Sequence, residues 1–246
     1  MERGSPLSPG DASSILSWWS EAGVDTLVDE TPRDWLRPTP AREPAAAALA
    51  EAPAAFAEPE EELPGQLGLF QAWLATTDRL AFASPAAPRI CPSGDPASGL
   101  MILADMPTGE DCAAGVLMAG EAGRLFDRML AAIGRDRGSI YLAALSCLRS
   151  PDGRLSGEPA RRCADLARHQ VGLVAPKALL LLGDSCAKAM LGLGVAQARG
   201  RWHEVATHAG PIKALATMKP DFLLSQPAHK ARAWADLQML IEEVRS

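Results

Sequence analysis

With 246 residues, 48% of them hydrophobic and 22% charged, the chain can bury a sizeable core and is too apolar to be disordered throughout. Its five cysteines form no CxxC pair and make an odd count, which argues against a disulfide framework; no run reaches the roughly 18 apolar residues of a membrane span, and MERGSPLSPGDASS has no apolar signal region. The net charge of −6 is uneven: residues 1–36 carry −5, residues 37–64 carry −4 and residues 65–246 carry +3, so the larger part is mildly basic, which permits nucleic-acid binding without requiring it.

Ser13 or Ser14 can cap a helix through ILSWWSEAGVDTLV, and Pro32 and Pro38 close this N-terminal helical extension (1–36). Residues 37–64 are rich in Ala, Pro and Glu and read as a flexible linker. A globular domain over 65–246 then opens with a helix through LGLFQAWLATTDRL (67–80). LMILAD (100–105) reads as a buried strand, EAGRLFDRMLAAIG (121–134) as a helix closed by Gly134, and SIYLAAL (139–145) as a second strand. A helix over 160–174, the strand KALLLLG (177–183), a helix over 184–193, the strand IKALATM (212–218) and a final helix from His229 complete the alternation. The pattern predicts a three-layer α/β/α sandwich with a four-stranded parallel central sheet. Ligands bind such sheets beyond the C-terminal strand ends, here 104–112, 145–151, 183–185 and 218–225.

Those segments carry recurring blocks. Lys219-Pro220-Asp221-Phe222-Leu223-Leu224 is followed by Gln226-Pro227, Lys230 and Trp234-Ala235-Asp236-Leu237. Upstream lie Ala104-Asp105-Met106-Pro107-Thr108-Gly109-Glu110-Asp111, the stretch from Gly115 to Asp127 with Met118-Ala119-Gly120-Glu121-Ala122-Gly123, and Tyr141-Leu142-Ala143-Ala144-Leu145-Ser146-Cys147-Leu148-Arg149. In this order and spacing, over roughly residues 67–240, they resemble the motifs of the bacterial family-4 uracil-DNA glycosylases.

That resemblance implies a uracil-DNA glycosylase-like fold and a pocket that takes a base flipped out of DNA. It also assigns positions. The family's acidic residue falls on Asp105 and its catalytic histidine on Lys219. Base-pocket positions fall on Pro107, Thr108, Met118 (for a stacking phenylalanine) and Ala144 (for the asparagine that reads uracil). Arg149, Arg199, Arg201 and Lys230 are placed to meet DNA phosphates, with Phe222 and Leu223 at the family's apolar wedge. The family's iron–sulfur cluster is expected to be absent: residues 70–85 lack the first cysteine pair, Leu148 stands at the third ligand with Cys147 one position early, and Cys163 is the only aligned cysteine. No metal or other cofactor is expected.

The reading that follows is a divergent, uracil-DNA glycosylase-like protein of base-excision repair, cytoplasmic, binding damaged or abasic DNA, with uracil excision impaired or lost. One alternative is an active glycosylase or abasic-site enzyme of altered specificity using Asp105 and Lys219. Another is a non-enzymatic scaffold that keeps the fold, with the acidic N-terminal region meeting a protein partner.

Overall fold

The computed structural model describes residues 63–245, so the N-terminal helix and all but the last two residues of the linker lie outside them. The described chain begins with α1 (Leu67–Thr76), which stops four residues short of the expected end. The strands are β1 (Ser93–Gly94), β2 (Leu100–Ala104), β3 (Tyr141–Ala144), β4 (Ala178–Leu182), β5 (Trp202–Thr207) and β6 (Gly210–Thr217). Between them run α2 (Gly109–Ala114), α3 (Gly120–Ala132), α4 (Gly157–Val174), α5 (Asp184–Leu191) and α6 (Val195–Ala198). The chain closes with α7 (Pro220–Ser225) and α8 (Lys230–Arg245).

The sheet order is β1-β3-β2-β4-β6-β5. Strand β2 pairs in parallel with β3 and β4, and β4 with β6, whereas β1 and β5 add antiparallel edges. The sheet therefore has six strands and is mixed; the expectation of four parallel strands missed both edges. Every residue of β2, β3 and β4 is buried, as central strands covered on both faces must be.

Alternation along the strands builds the three layers. Met101, Leu103, Ala143, Leu179, Leu181 and Ala214 point to one side, against Ala167 and Val171 of α4 and Ala187 and Met190 of α5. Leu100, Ile102, Leu142, Leu180, Leu182 and Leu215 point to the other, against Phe126 and Leu130 of α3 and Leu237 and Leu240 of α8. Each helix supplies its stripe at helical spacing, for example Ala233, Leu237 and Leu240 in α8. Gly134, at φ +72, ends α3 in the left-handed conformation that glycine adopts at no steric cost.

The hydroxyl of buried Tyr141 accepts from Gln71 Nε2 at 2.8 Å and Gln170 Nε2 at 2.9 Å, tying α1 and α4 to β3. His169 is half-buried: it lies edge-on to Phe70 and its Nε2 is 2.9 Å from the Pro64 carbonyl oxygen.

Candidate active site

The C-terminal ends of β2 and β6 open into a cavity of about 320 Å³, lined among others by Asp105, Thr108, Met118, Arg149, Lys219 and Asp221. Its walls are held from behind. Thr108 caps α2: its hydroxyl accepts from Asp111 N at 3.1 Å, and Asp111 Oδ2 accepts from Thr108 N at 2.9 Å. The other oxygen of this buried carboxylate accepts from Ala119 N at 2.7 Å, so one side chain joins both walls. Arg137 grips the loop before α3, donating to Leu117 O at 2.7 Å and Met118 O at 2.6 Å, with Asp127 2.7 Å from its Nε. The loop comes so near α3 that a Cβ on Gly123 would lie 1.9 Å from Met118 O. Met118 itself sits at φ +56, a conformation costly for any side chain with a Cβ.

On the floor, Asp105 Oδ2 accepts from Ser185 Oγ at 2.9 Å, and Oδ1 from Met106 N at 2.9 Å. Lys219 is the N-cap residue of α7. Its stem lies over Gly183, the φ +90 turn between β4 and α5: a Cβ there would be 3.4–3.5 Å from Lys219 Cβ, Cγ and Cδ. The lysine lines this cavity and also a second one of about 380 Å³, walled by Arg199, Met218, Phe222, His229 and Arg232. Among the described residues no side-chain hydrogen bond or ion pair engages its ammonium. Beneath the floor, burial pushes the Cys186 thiol well above its ordinary range; the Asp105 charge adds to that and the Lys219 charge opposes it, so both charges reach the same buried sulfur.

Sequence-derived positions separate into groups. Asp105, Thr108, Met118, Arg149 and Lys219 do share the cavity. Pro107 is buried behind it, its carbonyl accepting from Arg149 Nη1 at 3.2 Å. Ala144 is only 5% exposed and packs in the core with Ala104, off the cavity wall. Arg149, Arg201 and Lys230 are exposed. Arg199 is engaged internally, against the expectation of a phosphate contact: its guanidinium donates to both oxygens of buried Asp236 at 2.9 and 3.2 Å and to Arg232 O at 2.6 Å. Asp236 also accepts from the Thr217 hydroxyl at 2.8 Å. Burial pushes the Asp236 carboxyl upward, opposed by these donors. Phe222 is exposed at 38% with its ring 5.1 Å from that of His229, whereas Leu223, paired with it as a wedge, is 2% exposed and packs with Met218 and Ala233.

The residues present do not fit a four-thiolate cluster. All five cysteines are described, yet no group of three or more Cys, His, Asp or Glu is placed to hold a metal ion among the described residues. Beside Cys147 and Cys163 the space shrinks to about 20 Å³, room for about one water. Phe70, Leu74, Leu80 and Leu166 fill the rest. Burial, helped by the neighbouring Cys91 and Cys163, pushes the Cys147 thiol up to about 12, opposing the thiolate a metal ligand must be.

Sequence reading missed Asp111, Arg137, Ser185 and the second cavity. The Thr108-x-x-Asp111 spacing is a legible capping box; the reach of Arg137 over 20 residues is not.

A family model described as the uracil DNA glycosylase superfamily matches residues 91–238. The chain is similar to the type-4 uracil-DNA glycosylase of Pyrobaculum aerophilum, 25% identical over 153 residues that cover 59% of this chain and 78% of that protein. It is likewise similar to the type-4 uracil-DNA glycosylase of Archaeoglobus fulgidus, 23% identical over 156 residues, 61% of this chain and 78% of the other. No helix among the described residues is long and apolar enough to cross a membrane.

Proposed function

The chain belongs to the uracil DNA glycosylase superfamily, and from that premise we propose that it is a DNA-binding protein of base-excision repair whose uracil excision is impaired or lost and whose iron–sulfur cluster is gone. The lining of the 320 Å³ cavity carries this reading: it contains no amide side chain, no histidine and no aromatic ring. A site that recognises its substrate by paired hydrogen bonds discriminates by up to about 10⁴–10⁵, and alanine at 144 forfeits such bonds. A histidine that supports charge on a departing base, and a ring that stacks on it, are each worth at least ~10²-fold. Lysine at 219 and methionine at 118 supply neither.

DNA engagement rests on the exposed cations Arg149, Arg201 and Lys230 and on the exposed ring of Phe222. The test is incubation with duplex and single-stranded oligonucleotides carrying uracil, hypoxanthine or an abasic site, scoring base release and binding. The expected result is binding that weakens as salt rises, with no turnover on uracil. Robust uracil release overturns the impaired-site reading. Binding that is absent, or indifferent to salt, favours the scaffold alternative.

A further inference from the structure

The pocket has lost what reads a base and has gained a primary amine. Both changes suit a DNA site from which the base has already gone. Such a site is in equilibrium with an open-chain sugar whose C1′ is an aldehyde, and an aldehyde is what an amine attacks. We propose that Lys219 captures abasic sites covalently, as a Schiff base; this rests on the DNA-binding reading above and gives it a substrate.

Four observations converge on the same atoms. The Lys219 stem is laid across Gly183, which sets where the amine can reach. No carboxylate pairs with that amine among the described residues, so capture breaks no ion pair. Cavities of about 320 and 380 Å³ open on either side of it, enough to admit a sugar without its base. Asp105 faces the first of them with its carboxylate fixed by Ser185 and Met106, and its charge reaches the same buried Cys186 sulfur as that of Lys219.

The step balances without any co-reactant. Asp105 and Lys219 line one cavity, and when the lysine side chain turns across it Asp105 accepts a proton from the ammonium, freeing the nitrogen lone pair. Nζ attacks C1′, an N–C bond forms, the carbonyl π pair moves to oxygen, and a proton passes from the now positively charged nitrogen to that oxygen to give a neutral carbinolamine. Asp105 returns its proton to the hydroxyl, water leaves, and the lone pair closes the C=N bond of an iminium. Water reverses the sequence, so capture is reversible until a hydride reductant fixes it.

The experiment is borohydride reduction of the full-length protein with a duplex containing one abasic site, read by denaturing gel and by mass spectrometry of the adducted peptide, with binding of the same duplex measured in parallel. An adduct mapped to Lys219, lost in Lys219→Arg and slowed in Asp105→Asn, is the expected result. An adduct on another lysine, or one that survives Lys219→Arg, overturns the assignment. No adduct despite binding of the abasic duplex overturns capture alone and leaves the DNA-binding reading standing. No binding at all removes both. Mapping on the unmodified protein keeps the proposal open to refutation even if a variant fails to fold.

Discussion

Two regions of this domain stand where the resemblance implies something other than protein, and they differ in how much space they hold. The cavity at the strand ends measures about 320 Å³, whereas the space beside Cys147 and Cys163 measures about 20 Å³. Neither carries the full set of residues that the resemblance implies, so that departure alone does not account for the difference. The pocket walls are fixed from outside by Asp111 and Arg137, which hold backbone groups whatever lies within. The other region is bordered largely by apolar side chains, Phe70, Leu74, Leu80 and Leu166 among them, and such walls pack together, since each contact removes apolar surface from water. A cavity stays open where its walls are hydrogen-bonded in place.

The largest contrast to test is in thiol chemistry. With Cys147 at about 12, its thiolate at pH 8 is scarcer by about a thousandfold than that of a free cysteine near 8.5. Cys91 is exposed and should react with iodoacetamide in the folded protein, while Cys147 reacts only on unfolding. Because the folded value is raised, the stabilisation is complete below about pH 8.5 and is lost as pH rises toward 12. Denaturant midpoints measured from pH 8 to 11 should therefore fall; a flat profile means that the region is wet rather than sealed.

Next in size is Phe70→Ala. Phe70 is fully buried between Trp73 and His169, and its removal should cost about 3–5 kcal/mol by urea unfolding, with salt-dependent DNA binding preserved below the transition. Asp111→Ala should cost about 2–4 kcal/mol, because the backbone N–H groups of Thr108 and Ala119 lose their acceptor. Unlike Phe70→Ala, it should also loosen the 117–119 loop, seen as faster amide exchange there. Met118→Gly is the smallest change: relief of the φ +56 conformation should offset glycine's entropy cost and leave stability within about 1 kcal/mol. A loss much larger than that means that the Met118 side chain, not Arg137, holds the wall.

Much of this was legible in the sequence for specific reasons. LMILA and ALLLL are apolar at every position, as strands covered on both faces must be, and the α3 and α8 stripes fall at helical spacing. Asp105, Thr108, Met118 and Lys219 converge because each follows or faces a parallel strand end. Edge strands left a weaker trace: WHEVAT mixes polar and apolar residues, so β5 was not among the expected strands. Leu223 and Leu224 are adjacent, and only the turn of α7 decides which is buried. The Arg199–Asp236 pair spans 37 residues, and no local pattern announces it.

That pair also sets a timescale. Thr217, fully buried at the end of β6, is fastened through Asp236 to Arg199, and Lys219 follows two residues later. Amides of β6 should exchange only with global unfolding, hours behind those of the exposed turn at His208, so residue 219 is carried on one of the slowest-opening parts of the domain. Its side chain can move in nanoseconds while its backbone stays in place.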